Sequence, residues 1–498
     1  MTPEKNEESS LHLAKAAVKG ASWTYVAYYS GKLVVFLTTI FLARLLTKTD
    51  FGIVGYVVTV IGFLDVVKDL GVSASLIYYN EDRVVPTAFW LSMITNVSFF
   101  ILAWVGAPLV GDFFHDDRVI WVTRVMAFNF PLGAFGATHE ALLIRKLAFS
   151  RKFIPDFSRA ISKGLISIPL AYAGFGPWSI ILGQVGGTFI STIILWRLVD
   201  WRPSFSFSPE IAKSLLSFGV PLVGMNIISV FVLNVDYLLV GRYLGAEALG
   251  VYTLAFRVPE MTVLQLCNIV AQVIFPVFAT IRHDSEALGR GFLKTARYVA
   301  LITVPAGVGM ALLAEPIVLV FLGEKWIEVV PVMRAIALYS AFISLGYNAG
   351  DVYKAQGKPG ILTVLSLIQV TMLVPALYWA VTVQKSVVAV GWVQATLALV
   401  GSAIYLTVAI RLLRLQPLRL LGSFVPAIGS SLGMATLLLL LLHLINEMSA
   451  IAKLTLGALL GVIFYLMFLR LFGREVFSEG LSLAKTFFNK RKQPVQEV

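Results

Sequence analysis

Three groups of charged residues are spaced so that they could act together, and each lies within an apolar run. Asp65, Lys68 and Asp69, in FLDVVKDLGVS (63–73), stand at i, i+3 and i+4. Asp156, Arg159 and Lys163 form a second such stripe, and Arg257 and Glu260 flank Pro259 at i and i+3. On a helix each group shares one face. A carboxylate in apolar surroundings can exchange a proton or a sodium ion. An ammonium or guanidinium can hold an anionic group such as a phosphate, the guanidinium through two parallel hydrogen bonds. The simpler role is mutual neutralisation. Lys68 can pair with either aspartate of its stripe, and Lys32 is the nearest cation in sequence for the other. Across the apolar runs the cations Lys32, Lys68, Arg124, Arg159, Lys163, Arg257 and Arg334 are balanced by Asp65, Asp69, Glu140, Asp156, Asp236, Glu260 and Glu315. Charges placed in this way normally face a polar cavity or one another.

The elements that must position these residues are membrane spans. Of 498 residues 58% are hydrophobic and only 14% charged, and the mean hydropathy is +0.83. A soluble domain carries about a quarter charged residues, so this chain is an all-α integral membrane protein with no segment left over for a separate soluble domain. Apolar runs of about a bilayer's length fall at 20–42, 51–76, 85–110, 119–144, 153–174, 177–198, 212–238, 248–277, 294–321, 329–350, 360–383, 387–410, 421–444 and 451–472. Fourteen spans put both termini on one side. Lysine and arginine gather in alternate loops, among them Arg145, Lys146, Arg151, Lys152, Arg282, Arg290 and Arg411, while the intervening loops hold few, such as Arg44, Arg118 and Arg242. By the positive-inside rule the termini are cytoplasmic. The net charge of +12 then reflects topology, and the basic tail at Asn489–Lys492 reads as attraction to anionic membrane lipids and not as nucleic-acid binding.

The chain also repeats itself. ARLLTKTDFGIVGY (Ala43–Tyr56) aligns without gaps on GRYLGAEALGVYTL (Gly241–Leu254), pairing Arg44 with Arg242, Leu46 with Leu244 and Gly52 with Gly250. Both segments join an odd-numbered span to the next at the outer face. The expected organisation is an N-terminal six-helix lobe (1–200), a second lobe related by a pseudo-twofold axis along the membrane normal (201–415), a terminal helix pair (416–475) and a basic tail (476–498). Sites in repeat transporters lie near the midplane.

The ARxL segment, DFG, and DLG about seventeen residues on, together with VDYLLVGRYLGAEALGVYTLAFR (Val235–Arg257), resemble the bacterial polysaccharide flippases of the MOP superfamily, the colanic-acid type among them. Thr47-Lys48 departs from the Gly-Pro usual there. The resemblance implies a flippase that carries undecaprenyl-diphosphate-linked oligosaccharide units from the cytoplasmic to the outer leaflet of the bacterial inner membrane. It implies alternating access through a cleft between two lobes, with polysaccharide polymerase and assembly proteins as partners. On that basis Lys32 and Arg257, with Lys163 and Arg124, are candidate contacts for the diphosphate. Asp65, Lys68, Asp69 and Glu260 are candidates for coupling to H+ or Na+. Arg44, Gly52, Asp236, Arg242 and Gly250 are repeat-related structural residues, with Asp236 expected to brace the linker to Arg242.

Other classes are disfavoured by what is missing from the sequence. Cys267 is the single cysteine, which leaves no intrachain disulfide and no thiol pair. HDD at His115–Asp117 lacks further metal ligands, no GxxxxGK[ST] motif for ATP occurs, and no cofactor is expected. Met1–Lys19 is polar and no small-residue cleavage site follows, so no cleavable signal peptide is expected. Tyr25, Tyr28 and Tyr29 read as an interfacial belt. The GxxxG spacings at Gly183/Gly187, Gly429/Gly433 and Gly457/Gly461 read as close helix contacts. A lipid II flippase also has fourteen helices, whereas a multidrug/cation antiporter of the same superfamily shares the two-lobe plan and is disfavoured by the terminal helix pair and the ARLLxxxDFG-type segments. A membrane polysaccharide polymerase or ligase would need a sizeable outer loop, and the longest here is about ten residues, around Gly111–Arg118.

Overall fold

The computed structural model describes residues 30–79, 81–475 and 477–479. Tyr25, Tyr28, Tyr29 and the Asn489–Lys492 cluster lie outside them. Among the described residues the chain is helical throughout, without strands. Lipid offers the backbone no hydrogen-bond partners, and a helix satisfies its own.

The first unit, Met1–Thr253, contains α1 (30–45), α2 (Lys48–Lys68), α3 (Val72–Tyr79), α4 (Val85–Phe114), α5 (Arg118–Ala127), α6 (Asn129–Arg145), α7 (Phe149–Tyr172), α8 (Pro177–Leu198) and most of α9 (Pro209–Pro259). The second, Leu254–Val498, contains the end of α9, a π-helical turn at Glu260–Leu264, then α10 (Gln265–Thr280), α11 (Ser285–Leu312), α12 (Ala314–Phe321), α13 (Val329–Gly346), α14 (Ala349–Ala355), α15 (Gly360–Thr382), α16 (Val387–Leu413), α17 (Pro417–Leu444) and α18 (Ala450–Phe472). Helix starts carry their expected chemistry. Asp284, Ser386 and Ser449 accept hydrogen bonds from the first-turn amides of α11, α16 and α18, while Pro177 and Pro417 open α8 and α17 at positions needing no N–H.

Eleven helices among the described residues are long and apolar enough to cross a membrane. The differences from the fourteen expected spans have local causes. The run 20–42 begins before the described residues. The run 153–174 is a helix, α7, but Arg151, Lys152, Asp156, Arg159 and Lys163 make it too polar to qualify by composition. The runs 212–238 and 248–277 are joined without a loop, because helix continues through both and breaks only at Gly245 (φ 84°, ψ −179°).

That break explains the repeat. Gly245 aligns with Thr47, the extended residue that separates α1 from α2 (φ −87°, ψ 166°). Beyond each break the two copies meet reciprocally. A β-carbon on Gly52 would lie 1.8 Å from the carbonyl oxygen of Ala246, and one on Gly250 would lie 2.0 Å from that of Lys48. Ala246 and Lys48 are themselves aligned positions, so one contact is made twice, as symmetry requires. Lys48 Nζ adds a salt bridge to Glu247 at 3.3 Å, and Tyr56 donates to the Gly241 carbonyl at 3.2 Å. This interlock ties residues 241–253 to the first unit. The packing boundary consequently falls at Thr253/Leu254.

The GxxxG pairs do sit at close contacts. Gly183 and Gly187 bring α8 against the α7 backbone at Lys163 and Arg159, and Gly429 and Gly433 seat the Phe472 and Phe468 rings of α18. Gly457 faces Leu313, and Gly461 faces Leu438.

Candidate functional site

The charged stretch at 63–73 lies where the second span breaks. α2 ends at Lys68; Leu70 (φ 44°) and Gly71 (φ 72°) take left-handed backbone, and α3 starts at Val72. Asp69 caps α2 in helical conformation beside Lys68, so Asp65, Lys68 and Asp69 stay together on its last turn and the break follows them. The break is held by backbone contact: Gly71 packs on Gly219 of α9 so closely that a β-carbon would approach within 2.4 Å. The Ser75 hydroxyl also donates to the Leu215 carbonyl at 2.9 Å. Left-handed backbone with no room for a side chain explains the glycine of DLG.

Each charge in this turn has a distinct partner. Lys68 Nζ lies 2.7 Å from Asp65, both groups partly exposed, and 5.7 Å above the Phe130 ring. Asp69 caps α3, accepting from the Ser73 amide at 3.1 Å and the Ser73 hydroxyl at 2.9 Å. Asn96 donates to the Lys68 carbonyl at 3.4 Å and fastens the end of α2 to α4.

The second expected stripe lies on the single helix α7, and its members have different partners. Asp156 pairs with Lys152, which at 2.7 Å from each bridges Asp156 and Glu140, while Arg159 donates to Ser191 of α8 at 3.2 Å. The turn bearing Lys163 backs onto Gly183 and Gly187. Lys32 and Lys163 are half-buried. Arg124 lies 4.7 Å from the Trp121 ring and 5.5 Å from Trp104, whose carbonyl accepts from its Nε at 3.3 Å. That is a cation–π seat.

Among the structural candidates, Asp236 is buried and accepts from the Tyr252 hydroxyl at 2.6 Å, across the break at Gly245. Arg242 donates to the Phe113 carbonyl at 2.7 Å and touches His115, whereas Arg44 is exposed. In the loop at Gly111–Arg118, Arg118 grips Asp116 with two hydrogen bonds of 2.9 and 2.7 Å. They hold that carboxyl below its ordinary range.

In the second unit Arg257 and Glu260 form a salt bridge of 3.4 Å across Pro259, where α9 gives way to the π-helical turn. Proline removes one backbone bond and the wide turn absorbs the misfit. The guanidinium remains half-buried, and its Nε has no hydrogen-bond partner among the described residues. Arg334 lies 3.9 Å from Glu315.

One group escaped the sequence reading. Asp351 and Lys354 line a cavity of about 560 Å³ with Asn268, Tyr347, Ser402 and Tyr405. The apolar run 329–350 stops one residue short of Asp351 and places it in the following loop. The helix in fact stops at Gly346 and resumes at Ala349, and Asp351 is buried. An Asn-Ala-Gly-Asp turn closing an apolar run was the available signal.

Residues 41–331, more than half of the chain and containing both repeat segments, match the family described as polysaccharide biosynthesis protein. The chain belongs to that family. The resemblance to polysaccharide flippases thus stands. Similar relatives include the teichuronic acid biosynthesis protein TuaB of Bacillus subtilis (strain 168), 26% identical over 78% of this chain and 81% of its own length. The lipopolysaccharide biosynthesis protein WzxC of Escherichia coli (strain K12) is 24% identical over 74% and 75%. The succinoglycan biosynthesis transport protein ExoT of Rhizobium meliloti (strain 1021) is 25% identical over 74% of both. Among solved structures the lipid II flippase MurJ, in an inward closed conformation, has a TM-score of 0.75 at 14% identity, covering 91% of this chain and 99% of that one. An inward-facing multidrug MATE transporter of the MOP superfamily has a TM-score of 0.66 at 14% identity over 77% and 94%. The fold of this family member is therefore the one seen in MurJ and in that MATE transporter, and the chain is a multi-pass membrane protein.

Proposed function

We propose that the protein is a flippase that carries an undecaprenyl-diphosphate-linked oligosaccharide unit from the cytoplasmic to the outer leaflet of the bacterial inner membrane. It works by alternating access, crosses the bilayer fourteen times with both termini cytoplasmic, and is driven by an ion gradient. It supplies a polysaccharide polymerase and its assembly proteins. The observation that carries this reading is the family match over residues 41–331. The names of TuaB, WzxC and ExoT, which refer to teichuronic acid, lipopolysaccharide and succinoglycan, support the substrate class.

Within this reading Arg257 is the strongest of the candidate diphosphate contacts. A guanidinium with an unpartnered, buried Nε can keep its weak 3.4 Å link to Glu260 and still present donors to a phosphate. Lys32 is the second choice. Lys163 and Arg124 take weaker parts, since Arg124 already sits between two indole rings. Asp65, Lys68, Asp69 and Glu260 remain ion-coupling candidates, although each has a local hydrogen-bond or ion-pair partner.

The test is deletion of the gene followed by analysis of the lipid-linked intermediates. One defined repeat unit should accumulate on undecaprenyl diphosphate in the cytoplasmic leaflet, with loss of surface polysaccharide. Undisturbed export would refute the reading. Rescue of a strain depleted of its lipid II flippase would redirect it to lipid II, and joining of glycan units by the purified protein would redirect it to a polymerase.

A further inference from the structure

Asn268 and Gln272 stand one turn apart on α10, inside a membrane span, and both are exposed. An amide pressed against lipid tails forfeits its hydrogen bonds with water, so such groups turn to a polar space within the protein. That space is the cavity of about 560 Å³ walled by α10, α13, α14, α15 and α16, all in the second unit. Asn268, Gln272 and Phe275, at i, i+4 and i+7, line it from one face of α10, while Gln369 lines it from α15 and Tyr405 from α16. The volume lies in the range of about 300–1,000 Å³ usual for small-ligand pockets.

The lining is rich in groups that both give and accept hydrogen bonds, and poor in net charge. Asn268, Gln272 and Gln369 each carry a carbonyl oxygen and an NH2. Tyr347 donates to the Asn268 Oδ1, which leaves the NH2 of that amide as the donor. Asp351 and Lys354 offset one another at 3.3 Å. The walls add little more: α10 and α15 carry no charged residue, Arg334 of α13 is turned to Glu315, and Arg411 stands in the last turn of α16. A diphosphate finds no surplus cation here. A prenyl chain would strip the amides of water and give no hydrogen bond in return. A sugar ring meets both demands, because its hydroxyls donate and accept while its C–H faces can lie on Phe275 and the tyrosine rings. The wall is also kept low on one side. Gly401 lines the cavity, and a β-carbon added there would meet nothing within 4 Å.

The geometry points to a carbohydrate subsite: the second unit's cavity binds an uncharged pyranose ring of the transported glycan, with the amides of Asn268, Gln272 and Gln369 on its hydroxyls and Tyr405 beside it. That the ring belongs to a transported glycan rests on the flippase reading; the binding of a sugar does not. Glycan selection and diphosphate binding then fall to different residues, the first to this uncharged lining and the second to Arg257.

The experiment uses the purified full chain in lipid nanodiscs without lipid-linked glycan. Its probes are the monosaccharides released by hydrolysis of the cell's own surface polysaccharide, applied one at a time, with sorbitol and pyrophosphate as comparisons, and saturation-transfer NMR reads binding. At least one pyranose is expected to bind saturably while sorbitol does not. Gln272→Leu and Gln369→Leu should each weaken it on the order of fivefold, as loss of a neutral hydrogen bond requires. Gly401→Leu, which fills the cavity from a position where a β-carbon meets no neighbour, should abolish it. Thr371→Val, on α15 but outside the lining, should bind as wild type. Should a glutamine variant not fold, Gly401→Leu decides. Absence of binding by every sugar, binding of pyrophosphate alone, or binding indifferent to Gly401→Leu overturns the proposal, as does equal loss in Thr371→Val. Sugar binding together with undisturbed export in the deletion strain would keep the subsite and refute the flippase reading; no binding together with accumulated lipid-linked units would do the reverse.

Discussion

At the residue scale, the charges divide into those that hold the structure and those that retain binding capacity. Asp69 is of the first kind. Asp69→Ala is expected to cost about 1 kcal/mol through loss of the α3 cap, and Asp65→Ala less, since a partly exposed pair contributes about 0–1 kcal/mol; thermal unfolding in detergent measures both. Replacing both by asparagine tests the coupling role proposed for this turn: reduced ion dependence in proteoliposomes supports it, and unchanged dependence leaves the turn with a structural role alone. Arg257 is of the second kind. Arg257→Ala is expected to lower polysaccharide export on the order of tenfold at normal protein level, matching loss of a charge-assisted hydrogen bond of about 1.5–3 kcal/mol, with partial rescue by Arg257→Lys. Lys32→Ala should act in the same direction. Full export by both alanine variants would remove them from the cargo path. Sequence spacing identified local partners well where both lay on one uninterrupted helix, as Lys68 with Asp65 and Arg257 with Glu260. It failed where a better partner stood outside the assumed stripe, as Lys152 did for Asp156 and Ser73 for Asp69.

At the element scale, helix type was legible and helix interruption was not. A run of apolar residues states how much chain can be buried in lipid, but a break inside it depends on a neighbour's backbone. Gly71 looks like an ordinary helical glycine until Gly219 lies against it, and Asp351 looks like a loop residue until α14 continues the span. The repeat was legible from three identities because one of them, the pair Gly52 and Gly250, is where the copies touch. That symmetry makes a specific prediction. Gly52→Val and Gly250→Val each force a side chain into a facing carbonyl, at an overpacking cost of roughly 1–3 kcal/mol or more, and should lower the yield of monodisperse protein in fluorescence-detected size exclusion to a similar extent. Gly62→Val, at a position where an added β-carbon meets nothing within 4 Å, should behave as wild type. A harmless Gly250→Val would show that the reciprocal contact does not hold the two copies together.

At the scale of the whole molecule, orientation follows from charges that no single helix explains. The loop at Gly111–Arg118 carries Asp112, Asp116 and Asp117 against one arginine, and that arginine is taken up by Asp116. The turn after α10 carries Arg282, and α11 continues with Arg290, Lys294 and Arg297. Retention of cations on the cytoplasmic side would place these two regions on opposite faces. Because the single cysteine, Cys267, is fully buried, it can be replaced by alanine to give a background for single reporters at the exposed positions 117 and 283. In intact cells a membrane-impermeant maleimide is expected to label Asp117→Cys and to reach His283→Cys only after permeabilisation. Labelling of His283→Cys in intact cells would invert the topology, and with it the direction of transport proposed above. Labelling of both would require an even number of crossings between them in place of the five expected, because residues 118–282 would then return the chain to the same side.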